Sequence, residues 1–74
     1  SKPDPEVFLL GANQLGLAPK RCLVVEDAAS GIQAAIQGGF RSLGVGEKSI
    51  LGAAEHVLPG LAGVDVTRLE TLYS

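Results

Sequence analysis

Aromatic side chains are nearly absent from this 74-residue chain, which has two Phe, one Tyr and no Trp, 4% in all. Any core it builds must therefore be aliphatic. Cysteine is represented once, by Cys22, so an internal disulfide is excluded and a reducing, cytoplasmic setting is expected. Positive charge is not in excess: six Lys and Arg against eight Asp and Glu leave a net charge of −2, with no basic footprint for nucleic acid. No apolar run reaches membrane-spanning length, and no signal-peptide pattern is present. What remains is a small, apolar chain. Its 46% hydrophobic content argues for a packed domain rather than disorder. A chain this short buries only roughly 60% of its unfolded surface, so its stability is expected to be marginal.

The segment Leu23-Val24-Val25-Glu26-Asp27 organises the rest. Three apolar residues, two of them β-branched, run into two adjacent carboxylates, and small residues then open a helical pattern. This is how a buried parallel strand ends before handing over to a helix. Upstream, Asp4 suits an N-cap and Pro5 the first position of a helix to Leu15, with Phe8, Leu9, Ala12 and Leu15 as its apolar stripe and Gly16 as its terminator. Ala18-Pro19-Lys20 reads as a turn, and the strand as starting at Arg21 or Cys22. Ala28 to Gln37 reads as a second helix with Ala28, Ile32, Ala35 and Ile36 on one face, ended by Gly38-Gly39. A strand over Arg41–Val45, a turn at Gly44-Val45-Gly46, a helix over Lys48–Ala54 and a strand over His56–Leu58 follow. A last helix is capped by Asp65 and carries Val66, Leu69 and Leu72. Such alternation predicts an α/β fold with parallel strands. No linker, repeat or low-complexity segment interrupts it.

In open α/β sheets, ligands bind at the carboxyl ends of strands. Two acids there form a candidate site for a hard cation such as Mg²⁺, which takes oxygen ligands. The competing reading makes Asp27 a helix cap and leaves Glu26 in solvent. Lys2 alone reads as a solvated lysine, but Ser1-Lys2-Pro3-Asp4-Pro5 is stiffened by its prolines. A held ammonium can neutralise a phosphate, and phosphoryl transfer needs both a metal and a cation.

The combination is more specific than its parts. Lys2-Pro3-Asp4-Pro5, then a helix ending in Gly16, then Val24-Val25-Glu26-Asp27-Ala28-Ala29-Ser30-Gly31-Ile32-Gln33-Ala34-Ala35 resembles the haloacid dehalogenase-like (HAD) superfamily of phosphatases and phosphomutases. Ser1 before Lys2, and Gly44-Val45-Gly46 after the next strand, resemble its β-phosphoglucomutase branch, which interconverts β-glucose 1-phosphate and glucose 6-phosphate through an aspartyl-phosphate. The resemblance implies that residues 1–74 are the C-terminal half of a Rossmann-like three-layer α/β/α core domain. It implies Lys2 as a catalytic residue, Ser1 and Lys2 as phosphate-binding residues, and Glu26 and Asp27 as Mg²⁺ ligands. It also implies a monomeric parent and a small sugar-phosphate substrate, with no nucleic acid or membrane partner.

The superfamily's nucleophile and acid/base lie in an Asp-x-Asp segment that is not among these 74 residues, and neither is its cap domain. The chain is therefore expected to be a fragment, inactive by itself, with an apolar edge and face uncovered. A sugar-phosphate phosphatase and a non-catalytic remnant that binds through its sheet edge stand as alternatives. Gly38, where the family often has Ala, is expected to loosen the second helix. Cys22 reads as a small core residue, His56 lacks companions at ligand spacing, Ser30 has no nearby His, Gly44-x-Gly46 lacks a third glycine, and Lys20-Arg21 reads as a solvated strand entry.

Overall fold

The apolar run before the acids forms the first strand of a parallel sheet. The computed structural model describes residues 4–74, so Ser1, Lys2 and Pro3 lie outside the described residues. In order, the elements are α1 (Glu6–Leu15), a 3₁₀ turn (Pro19–Arg21), β1 (Leu23–Glu26), α2 (Ala29–Gln37), β2 (Arg41–Val45), α3 (Lys48–Leu51), β3 (His56–Leu58) and α4 (Val66–Tyr73). The strands lie in the order β1-β2-β3, all parallel, with Glu26 beside Gly44 and Gly44 beside Val57. The α/β expectation holds. Parallel strands force each connection to travel back along the sheet, and α2 and α3 make those returns.

The core has two parts. Ala12, Ala35 and Phe40 are buried together, with Phe8, Cys22 and Val24 packed around them. Ile32, Leu51 and Ala54 form the second cluster, supported by Val57. Leu43, in the middle strand, is fully buried. The core is mainly aliphatic, but both phenylalanines belong to its first cluster. Phe8 and Phe40 meet edge to face, with ring centres 5.9 Å apart.

Helix ends follow the local chemistry. Asp65 Oδ1 accepts the Arg68 N–H at 2.9 Å and caps α4. α1 begins one residue later than the sequence predicts, at Glu6, whose N–H donates to Asp4 Oδ1 at 3.0 Å. Gly16 ends α1 at φ +71°: its N–H reaches Asn13 O and the Leu17 N–H reaches Ala12 O. This doubly bonded stop is repeated after α2, where Gly39 (φ +82°) bonds Ile36 O and the Phe40 N–H bonds Ala35 O.

Several expectations are corrected. β1 starts at Leu23, because Pro19 winds Lys20 and Arg21 into the 3₁₀ turn. α3 stops at Leu51, three residues early. Leu9 and Leu15, assigned to the apolar stripe of α1, are 39% and 73% exposed, and Val66 of α4 is 70% exposed. On α2 the buried face is Ile32, Ala34 and Ala35, whereas Ala28 and Ile36 are exposed. At Gly38, a Cβ would lie 2.8 Å from the Phe40 ring and 2.9 Å from Pro5 Cβ, so the glycine lets these groups close in at the end of α2. Gly44 belongs to β2 rather than a turn, and what approaches it is Leu51, whose Cβ would stand 2.9 Å from an added methyl.

At the amino ends of β2 and β3 a polar network fastens α4 to the sheet. The Glu55 carboxylate accepts the single Arg41 Nε–H in a bifurcated bond, at 2.8 Å to Oε1 and 3.0 Å to Oε2, and the Ser42 N–H at 3.2 Å. Ser42 Oγ accepts the Glu55 N–H at 3.0 Å, and the Tyr73 hydroxyl donates to the Ser42 carbonyl. The Tyr73 ring lies under the Arg41 guanidinium (5.0 Å) and edge-on to His56 (4.8 Å). The hydrogen bond from Arg41 holds the Glu55 carboxyl below its ordinary value, assisted by the Ser42 N–H and the Arg41 charge, and Arg41 is correspondingly raised. Burial pushes the Tyr73 phenol up.

A depressed carboxyl stabilises the fold fully above its unfolded value near 4.5, and that contribution is lost as pH falls through the lower folded value. Thermal midpoints of the wild type and Glu55→Gln are accordingly expected to differ at pH 7 and to converge below about pH 4.5. A gap that stays constant down to about pH 3 would remove Glu55 ionisation from the account.

Candidate functional site

Side chains alternate across a strand, so Val24 and Glu26 share one face of β1, and Leu23 and Val25 share the other. Val24 packs on the Ala12–Ala35–Phe40 cluster, and Glu26 is carried on the same side, towards α2. It is half-buried, while Asp27, just past the strand end, is exposed. Both line an open hollow of about 250 Å³ at the carboxyl end of the sheet, together with Val25, Val45 and Leu61. Val45 enters from the end of β2 and Leu61 from the loop that follows β3.

The capping alternative for Asp27 does not hold. The N-cap of α2 is Ala28, extended at φ −122° and ψ 141°, and no side chain caps the helix. Among the described residues neither Glu26 nor Asp27 takes part in a hydrogen bond through its carboxylate, or in an ion pair. Two carboxylates without a partner among the described residues therefore share a hollow beside the partly positive start of a nine-residue helix that no described side chain caps.

The donor set suits a hard cation. Carboxylate oxygens are what Mg²⁺ prefers, and one or two of them suffice when water and substrate phosphate complete the shell. Among the described residues no group of three or more His, Cys, Asp and Glu forms a fuller cage. His56 is engaged with Tyr73 at the opposite end of the sheet, Ser30 is exposed on α2, and half-buried Cys22 packs beside the core. The expected phosphate-binding residues, Ser1 and Lys2, lie outside the described residues, and so does their expected meeting with the acid pair.

Two features of the site take no role from the sequence reading: Leu61, and Gly31, which the family motif includes without showing what it touches. Leu61 sits in a loop, where no periodicity marks it. Gly31 stands four residues after Asp27, and its missing side chain faces Glu26. The spacing is visible in the sequence, but the contact is not.

The model of the haloacid dehalogenase-like hydrolases matches residues 1–39, a stretch that holds Lys2, β1, the acid pair and all of α2. The chain belongs to this family. Hexitol phosphatase A of Escherichia coli K12 is 39% identical over 70 residues, covering 90% of this chain and 32% of that protein. The β-phosphoglucomutase of Bacillus subtilis is 43% identical over 53 residues, covering 70% of this chain and 24% of its own length. Among solved structures, a β-phosphoglucomutase from Clostridium difficile superposes with a TM-score of 0.91 and 33% identity, over 99% of this chain and 33% of that one. This HAD-like chain thus spans about a quarter to a third of the length of the relatives it matches. Its three-stranded sheet with flanking helices matches the fold of that neighbour.

Proposed function

We propose that this chain supplies the cation-holding part of a Mg²⁺-dependent phosphoryl-transfer enzyme of the β-phosphoglucomutase kind, acting on a small sugar phosphate in the cytoplasm. The observation that carries this reading is the pair Glu26 and Asp27: two carboxylates that, among the described residues, neither cap a helix nor pair with another side chain, at the end of a parallel strand, in one hollow. When bound there, Mg²⁺ supplies charge neutralisation and a fixed position for phosphate oxygens. Glu26 and Asp27 hold it. Lys2, carried by the Pro-stiffened segment, neutralises the transferring group, and Ser1 assists in binding it. Leu61, Val25 and Val45 give the open hollow an apolar lining.

The nucleophile and the acid/base are assigned outside these 74 residues, which contain no Asp-x-Asp, and the chain alone is assigned no turnover. The parent protein is proposed to act as a monomer, with no nucleic acid or membrane partner. A second reading, a sugar-phosphate phosphatase, is favoured by the 39% identity to a hexitol phosphatase over 90% of the chain.

Given β-glucose 1-phosphate and Mg²⁺, the full-length protein is expected to form glucose 6-phosphate, with loss of the activity on chelation. Release of inorganic phosphate without isomerisation would move the assignment to the phosphatase. No reaction with any sugar phosphate would overturn both.

A further inference from the structure

Glycine is a poor residue for the first turn of a helix unless something requires it. α2 carries one there, Gly31, and its backbone is not the reason: its φ is not among the positive values, so alanine would be tolerated. The reason lies across the strand end. A Cβ placed on Gly31 would overlap Oε1 and Cδ of Glu26 and stand 2.6 Å from its Cγ. The Glu26 side chain thus occupies the space that a side chain at position 31 would fill. The other mid-helix glycine, Gly11 of α1, has nothing within 4 Å of the equivalent point.

The strand's alternation leaves Glu26 little choice. Its face of β1 is covered by α2, so its chain must run along the first turn of that helix to reach the hollow it shares with Asp27. An alanine at 31 would displace the carboxylate of Glu26. The three heavy atoms nearest to that added methyl all belong to Glu26.

We propose that Gly31 is a positioning residue: the missing side chain makes a slot that aims the Glu26 carboxylate at the cation held with Asp27. This rests on the reading of Glu26 and Asp27 as cation ligands, but the slot can be tested without a metal.

The test is carbon-13 NMR of the protein labelled at glutamate Cδ, with the Glu26 signal identified by its loss in Glu26→Gln. In metal-free protein, Gly31→Ala is expected to shift the Glu26 signal and leave that of Glu55 in place, while Gly11→Ala shifts neither. An unmoved Glu26 signal in Gly31→Ala overturns the proposal, whatever the metal does. On titration with Mg²⁺ alone, Gly31→Ala is expected to bind roughly tenfold or more weakly, in the range for loss of a group that orients a ligand. Adding Gly31→Ala to Glu26→Gln is expected to cause no further loss. Additive losses would mean that Gly31 acts elsewhere and would overturn the proposal.

If wild-type Glu26 and its neighbours do not respond to Mg²⁺, the cation reading fails, and the metal-free comparison still decides the slot. Should Gly31→Ala fail to fold, Glu26→Ala/Gly31→Ala is the deciding variant. Restored folding supports the steric account, and continued unfolding overturns it.

Discussion

On the proposed function, Asp27→Asn is expected to abolish Mg²⁺-dependent turnover by the full-length protein and to weaken Mg²⁺ binding by roughly 100-fold or more. That is at or above the upper end of the roughly 10–100-fold range seen when only an orienting partner of a ligand is lost. The substitution keeps the size of the side chain and removes its charge. It should leave the fold almost untouched. Asp27 is exposed and does not cap α2, whose N-cap is Ala28, so no hydrogen bond that holds the helix is removed. A surface change of this kind moves stability by no more than about 0.5 kcal/mol. Binding and stability are therefore expected to separate cleanly. The measurement pairs a Mg²⁺ titration with a urea unfolding curve. Wild-type rates and affinity in Asp27→Asn would remove this residue from the site, and a large loss of stability would restore the capping role that the structure denies it.

Ile32→Ala is expected to have the largest effect on folding. Ile32 is 1% exposed and joins Leu51 and Ala54, with Val57 packed against them. Truncating such a side chain costs about 2–5 kcal/mol, through lost burial and the cavity left behind. Domains of this size hold only about 0.05–0.15 kcal/mol per residue in total, so a large share of the margin goes. The urea midpoint should fall with little change in slope. A loss under about 1 kcal/mol would show that the second cluster collapses readily around the gap. Because Ile32 follows Gly31 directly, this contact also anchors the helical turn against which Glu26 lies. Loss of packing and loss of cation affinity are thus expected together in Ile32→Ala, in contrast to Asp27→Asn.

Much of the architecture is legible in the sequence. The strand at Leu23–Glu26, the helix after it and the cap at Asp65 each follow from a local signal: an apolar run, helical spacing, or a side-chain oxygen placed before an amide. The acid pair is legible for the same reason, being contiguous in sequence. Burial is not. Helical spacing puts Phe8, Leu9, Ala12 and Leu15 in one stripe, but it does not show that packing covers Phe8 and Ala12 while leaving Leu9 and Leu15 exposed. Val25 reads as a core strand residue and is 45% exposed, because among the described residues nothing packs fully over that face of β1.

The order of elements, the parallel sheet and the two carboxylates at a strand end are written in the chain itself, because each depends on residues a few positions apart. Which apolar residues find partners is settled only by packing in three dimensions. So is the freedom of Asp27 from the helix cap, the tie that Tyr73 makes between α4 and Ser42 across 31 positions, and the gap at Gly31 through which Glu26 passes. Those outcomes depend on atoms brought together through space by the packing of separate elements, and no local spacing encodes them.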